Sequence, residues 1–417
     1  MKNIWRNYRS STLANRLTWM VGIVFVYMLG KYIPIATLPA AGIEAGAYKL
    51  DSALENLAMV TGGQFSTLNL FSLGLSPWMT GMILWRFLTL FKTIKGLTAQ
   101  QSHRYRMLLM FIVALIQSIG VSSLSEYYQF SQFGDYSLPI VRGITMVVMI
   151  AGSFVLMWLA NVNGRKGLGG PSVIIVSNMI LTFIINIIRY FSEKRLGGLE
   201  FLLTIAVIAL IASALIWITV VIYRAEYRIP IRRIMIISAF AESTYIPIRV
   251  TPAGGMPFMY AMTLMSLPPI LISAMLQIFP ENPILKELVG KVSISELLGI
   301  LVYIFLLFIL AIGFAYFNID PTEVAENMQK SGDYIENVRP GEATRKYISF
   351  YLNRLTLVGA IYTCLMGGVP LILVWSQQGQ ISIALLINNI YIVTTLLLGI
   401  VEQVRILRSW REYDEII

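Results

Sequence analysis

Few residues in this chain are of a type that does chemistry, and their number limits what they could do. Among 417 residues there is one histidine, His103, and one cysteine, Cys364. One of each excludes an intrachain disulfide, a cysteine or histidine metal cluster and a histidine relay. No GxxxxGK[ST] phosphate loop, no GxGxxG and no HExxH occurs. No catalytic group, metal site or cofactor is therefore expected. Arg86, Arg142, Arg189, Arg354 and Glu402 stand near the ends of apolar runs, where long side chains reach water, and no acid falls near the middle of one. Ion-coupled carriers ordinarily place an ionisable group within the bilayer. The chain reads as neither an enzyme nor an ion-coupled carrier, and any work it performs comes from a partner.

What is left is apolar side chains at helical spacing. Met79 and Ile83 are four residues apart and share one helix face, as do Met256, Met259 and Thr263, and Ile175 with Asn178. Stripes of this kind ordinarily pack against neighbouring helices. The sharper alternative is an apolar constriction that closes around whatever passes. Methionine adapts to varied shapes, and a hydrophobic constriction blocks ions by dewetting.

The elements that must position these residues are membrane spans. The chain is 57% hydrophobic and only 13% charged, with mean hydropathy +0.71. A soluble chain of this length carries about twice that charged fraction. Ten apolar runs predict helices at residues 17–35, 77–91, 107–124, 143–161, 171–188, 200–222, 256–278, 295–316, 350–375 and 381–401. Pro268 and Pro269 interrupt the seventh. The first run lacks a small-residue cleavage site, so no cleavable signal is expected. With both termini in the cytoplasm, 24 of the 32 Lys and Arg fall on the cytoplasmic side, as the positive-inside rule requires. The net charge of +10 is thus a topology signal and not one for nucleic acid. Ten spans divide as five and five, 1–195 and 196–417, compatible with an inverted repeat.

Between spans one and two lies TGGQFSTLNLFSLGLS, residues 61–76. It is too polar to face lipid and too apolar for an ordinary loop. It reads either as an external loop or as a half-inserted segment leading into a short helix opened by Pro77. Two long polar segments, 223–255 and 317–349, follow spans six and eight. YRAEYRIPIRR suggests a pair of extended strands. DPTEVAENMQKSG has a helix start at Asp320-Pro321 and a stop at Gly332.

These segments also carry a resemblance. DPTEVAENMQKSGDYIENVRPGEATRKYISFYLNRLTLVGAIY resembles the fifth cytoplasmic loop and ninth helix of SecY, the channel subunit of the bacterial protein translocon. RIPIRR with IPIRVTPAGGMPFMYA is similar to its fourth cytoplasmic loop and seventh helix, and FSLGLSPWMTGMIL to its plug and second helix. GLGGPSVIIVSNMI and VEQVRIL resemble the start of the fifth helix and the end of the tenth. The resemblance implies an all-α integral membrane protein of ten spans in two inverted halves, with a plug at about 61–76 and a lateral gate. It implies plug residues Gly62, Gly63, Gln64, Phe65, Leu68, Asn69, Leu70 and Phe71. It implies a pore ring of Met79, Ile83, Pro171, Ile175, Met259 and Ile392. Pro171 and Gly255 stand where a bulkier apolar residue is usual, implying a looser seal. Gln117 and Thr263 match polar gate positions between helices two and three and helices seven and eight. Arg339, in NVRPG, matches an arginine required for work with a SecA-type motor ATPase, with Arg228, Arg232 and Arg233 as neighbouring docking surface.

Implied partners are that motor, SecE/SecG-like small subunits or accessory Sec proteins, an unfolded preprotein and membrane lipid. The less basic fourth loop, short tail and GlyGlyPro before the fifth helix resemble the accessory SecY paralogue of some Gram-positive bacteria. That group exports serine-rich, glycosylated adhesins across the plasma membrane. A general housekeeping channel, a secondary solute transporter and a non-conducting scaffold are the competing readings.

Overall fold

A computed structural model describes residues 12–35, 60–63, 68–89, 97–123, 127, 137–194, 198–233, 244–279, 282–291, 294, 296–376 and 381–414. The apolar runs form α1 (Thr12–Lys31), α2 (Ser76–Leu88), α3 (Ala99–Ser123), α4 (Ser137–Lys166), α5 (Pro171–Lys194), α6 (Gly198–Arg224) and α7 (Met256–Ile278). After the nine-residue α8 (Pro283–Lys291) come α9 (Leu297–Asn318), α10 (Pro321–Ser331), α11 (Glu342–Ser376) and α12 (Ile381–Asp414). Among the described residues, eight helical segments have the length and apolarity to cross a bilayer. The apolar stretch Pro171–Ile185 of α5 is shorter, and α2 has 13 residues.

Several boundaries differ from the sequence expectation, each for a local reason. α3 starts at Ala99, eight residues before its apolar run, because Thr98 and Gln101 form a capping box. Gln101 Oε1 accepts from the Thr98 N–H at 3.1 Å, and Thr98 Oγ1 accepts from the Gln101 N–H at 3.4 Å. α7 runs unbroken through Pro268 and Pro269. Flanking hydroxyls take up local carbonyls, Ser266 that of Thr263 and Ser273 that of Pro269, as membrane helices tolerate. The expected charged tail after residue 401 is instead the continuation of α12 to Asp414. α10 agrees with its signals: Asp320 caps it through Thr322 N–H at 2.8 Å, and Gly332 ends it at φ 74°.

Strands do form in YRAEYRIPIRR, but they do not pair with each other. β1 (Glu226–Pro230) pairs antiparallel with β3 (Tyr245–Arg249), from Glu226 opposite Arg249 to Pro230 opposite Tyr245. β2 (Arg232–Arg233) pairs with β4 (Asp333–Tyr334), so the two long segments are joined. They enclose a core of their own: Ile229, Ile248, Met328, Ile335, Ile348 and Leu352. Ile348 and Leu352 belong to α11, which begins at Glu342 and not at 350. α11 therefore has one end in this small domain and the rest in the bundle.

In the bundle α2 packs on α3 and α7, α3 on α7, α7 on α9, α9 on α11, and α5 and α6 on α12. Without a hydrophobic drive between helices in lipid, close approach depends on small residues. A Cβ at Gly359 of α11 would run into the carbonyl of Val250 and lie 3.3 Å from Thr251 Cα, both backbone. Gly313 of α9 has open space around it. Gly359→Val is expected to cost about 1–3 kcal/mol and lower the thermal midpoint in detergent. Gly313→Ala is expected to leave the midpoint unchanged or slightly raised.

Candidate functional site: an apolar constriction beneath a seated segment

Met79 and Ile83 on α2, Ile175 on α5, Met259 on α7 and Ile392 on α12 fall in one core cluster. All are buried, from Met79 and Ile392 at 0% exposure to Met259 at 7%. The spacing of four on α2 explains why its two members share a face. Pro171 is half-buried in the first turn of α5. At Gly255 the expected gap is filled. A Cβ there would meet Thr395 Oγ1 and Cβ, so the α12 threonine occupies the room of a larger side chain.

The described part of the 61–76 segment is buried despite its polarity: Thr61 1%, Asn69 3%, Phe71 3% and Ser72 0% exposed. Gln64 and Phe65 lie outside the described residues, whereas Gly62, Gly63, Leu68, Asn69, Leu70 and Phe71 lie within them. The polar residues satisfy the backbone locally. Ser72 Oγ accepts from Asn69 N–H at 2.6 Å and donates to Asn69 carbonyl at 2.9 Å, while Asn69 Oδ1 accepts from Phe71 N–H at 2.9 Å. Leu75 N–H donates to Thr61 carbonyl at 2.7 Å, closing the segment on itself. Gly62 at φ 76° and Gly74 at φ 58° supply turns that other residues resist. A Cβ on Gly152 of α4 would collide with the carbonyl of Leu70, so α4 forms one wall of the seat.

The rest of the seat comes from α1 and α5. Tyr27 hydroxyl donates to Gly62 carbonyl at 2.8 Å, and Tyr27 stacks on Phe71 at 5.9 Å. Lys31 Nζ donates to Asn178 Oδ1 at 2.8 Å, and Asn178 Nδ2 donates to Gly63 carbonyl at 3.3 Å. Leu70 N–H donates to Ile33 carbonyl at 3.1 Å, Ile35 N–H to Leu68 carbonyl at 3.3 Å, and Pro34 and Asn69 form an antiparallel bridge. Sequence reasoning missed Tyr27 and Lys31. The available signal was a lysine inside a run assigned to lipid.

Gln117 and Thr263 are buried at the seam where α2 and α3 meet α7. Gln117 Nε2 donates to Ser76 Oγ at 3.0 Å, within one side of the seam. Thr263 Oγ1 donates to Met259 carbonyl at 2.7 Å and lies 3.9 Å from Met79 Sδ across it. Gly120 of α3 lies against Ile270 of α7 with no room for a Cβ.

On the small domain, Arg228 pairs with Glu226 at 2.8 Å and lies over the Tyr245 ring at 4.7 Å. Arg232 pairs with Glu336 at 3.2 Å. Arg233 is placed on β2 opposite Asp333. Arg339 is exposed in the turn before α11 and has no ion-pair partner among the described residues. Its carbonyl accepts from Thr344 Oγ1 at 2.9 Å, which holds the turn against the helix. Tyr227 stacks on Tyr351 at 4.7 Å, bracing β1 on α11. Hydrogen bonding to Tyr351 raises Tyr227 and pushes Tyr347 up to about 12. Arg249 and Glu402, paired at 2.8 Å, tie β3 to α12, and Gly169 N–H donating to Gln403 Oε1 at 2.9 Å ties the α4–α5 turn to it.

The chain has counterparts among known proteins. The family model described as SecY matches residues 69–400. An accessory Sec system protein translocase subunit SecY2 from Streptococcus parasanguinis is 45% identical, with 100% of both chains covered. Its namesake from Leuconostoc gelidum subsp. gasicomitatum is 35% identical, with 96% of each covered. Among solved structures, a protein conducting channel superposes with TM-score 0.67 at 15% identity, covering 95% of this chain and 93% of that one. Sec61 in the canine ribosome-channel complex gives 0.64 at 15%, covering 95% and 93%. The structural likenesses show a shared fold, and with the family match and the full-length relatives they lead to one conclusion: this chain belongs to the SecY family.

Proposed function

We propose that the chain is the protein-conducting channel subunit of an accessory Sec system. It lets unfolded preproteins, serine-rich glycosylated adhesins in particular, cross the bacterial plasma membrane. The observation that carries this reading is a shared core. Five buried apolar side chains from α2, α5, α7 and α12 fall in one cluster with Phe71 and Leu75 of the polar segment, which is itself held by hydrogen bonds. The full-length match to relatives named accessory Sec translocase subunits favours the accessory system over the general one.

In this reading α1–α7, α9, α11 and α12 are ten spans in two inverted halves, 1–195 and 196–417, with both termini cytoplasmic. Residues 61–76 are the plug. Met79, Ile83, Ile175, Met259 and Ile392 seal the pore, with Pro171 at its edge. The seam carrying Gln117 and Thr263 is the lateral gate, and polar contacts of about 0.6–2 kcal/mol suit a seam that must part. A SecA-type ATPase supplies the work through Arg339, with Arg228, Arg232 and Arg233 beside it. SecE/SecG-like or accessory Sec subunits complete the assembly. The exposure of Arg339 without a carboxylate partner supports its assignment over Arg228 and Arg232, whose charges are already engaged.

Arg339→Glu is expected to cut motor-driven export about tenfold or more at an unchanged membrane level. An acid three residues before α11 favours the helix dipole, so folding is not at stake. Export at the parental rate would overturn the motor assignment. Removing residues 64–72 is expected to raise ion conductance across a planar bilayer, because it takes away what covers the constriction. Conductance equal to that of the intact chain would overturn the plug reading.

A further inference from the structure

One charged group on the seam has no part in the roles above. Arg86, in the last turn of α2, places its guanidinium carbon 4.8 Å from the Phe314 ring centroid and 4.5 Å from that of Phe317. Both rings belong to α9. Phe314 is 3% exposed and stacks at 4.8 Å on Tyr260 of α7, so the face it offers Arg86 is fixed by packing. The Nη1 atom of Arg86 is enclosed without a hydrogen-bond partner. Among the described residues no carboxylate pairs with Arg86. Arg86 is half-buried, and for the enclosed part of its guanidinium, with no anion beside it, the aromatic faces are what offset desolvation.

The contact is made across the two sides of the seam, α2 on one and α9 on the other. Parting them breaks both ring contacts together and returns Arg86 to water or lipid headgroups, where it is well solvated. The interaction thus exists in the closed arrangement alone, and a ligand or contact with that property shifts a two-state equilibrium toward it. Its strength is modest. Cation–π pairs are weaker than buried ion pairs, so this one biases closure and does not lock it.

We propose that Arg86, held between Phe314 and Phe317, is a positioning residue that latches the lateral seam shut at the α2–α9 end and sets how strong a signal segment must be to part it. The proposal rests on the reading of that seam as the gate.

The test uses the full chain in its membrane with two export reporters, one with an intact signal segment and one whose signal segment is weakened by polar substitutions. Arg86→Met keeps the stem and removes the charge. It is expected to raise export of the weakened reporter about tenfold. Arg86→Lys, which retains a cation over the rings, is expected to restore most of the closure. Replacing both rings, Phe314→Leu with Phe317→Leu, is expected to match Arg86→Met, and the combined variant to add nothing, as for members of one interaction. Parental export of the weakened reporter by Arg86→Met, equal behaviour of Arg86→Lys and Arg86→Met, or multiplying effects in the combined variant would each overturn the latch. Should Arg86→Met fail to accumulate, Phe317→Leu at a half-exposed position carries the same test. If the unaltered chain fails to export the intact reporter, the channel reading falls and the latch with it. Intact-reporter export with an unmoved weakened reporter removes the latch alone.

Discussion

Buried backbone N–H and C=O groups must find partners inside the protein, and much of this architecture follows from how the described part of residues 61–76 meets that demand. A helix satisfies its own backbone; an irregular segment cannot. Here Asn69 and Ser72 close turns within the segment, Leu75 reaches back to Thr61, and α1 and α5 provide Tyr27 and Asn178 for the carbonyls of Gly62 and Gly63. α4 must then be smooth at Gly152 to admit the Leu70 carbonyl. The seat is made of separate hydrogen bonds, each worth about 1 kcal/mol net, with one short bridge and no extended ladder. Such a seat is stable in sum and can be vacated a bond at a time.

The apolar set Met79, Ile83, Ile175, Met259 and Ile392 obeys the opposite logic. Its members are apolar and come from four helices, so none depends on a directional bond. Thr395 in the space beside Gly255 shows that volume is conserved across helices even where one position is small. A contact of this kind is made by packing and leaves no unpaired polar group when it is broken.

Much of this was legible from residue types. Asp320, Pro321 and Gly332 delimit α10 as their capping preferences require, and Pro77 opens α2. The stripe of Met79 and Ile83 was legible as one face, though not what it faces, since periodicity names a side and not a partner. The boundaries that hydropathy misplaced are those where polar residues continue a helix: Thr98 and Gln101 before α3, the residues before Phe350 in α11, and those after Val401 in α12. Hydropathy finds where lipid ends, which is not where a helix ends. The strands were legible in the isoleucine alternation of β1, but their partners lie 15 or more residues away, beyond any local signal. Lys31 was hidden for a related reason. A lone lysine in an apolar run looks like a helix end until the neighbouring Asn178 is known.

The length of α11 has a mechanical consequence. Its 35 residues make a rod of about 52 Å, well beyond the roughly 30 Å hydrocarbon thickness. The surplus is gripped by Ile348 and Leu352 in the small domain, while Gly367 lies against Phe258, one residue from Met259 in the constriction. From Glu342 to Gly367 the chain is one uninterrupted helix, with Pro370 only beyond that contact. One element thus joins the small domain to the neighbourhood of Met259, so the two cannot shift relative to each other without bending or tilting that helix.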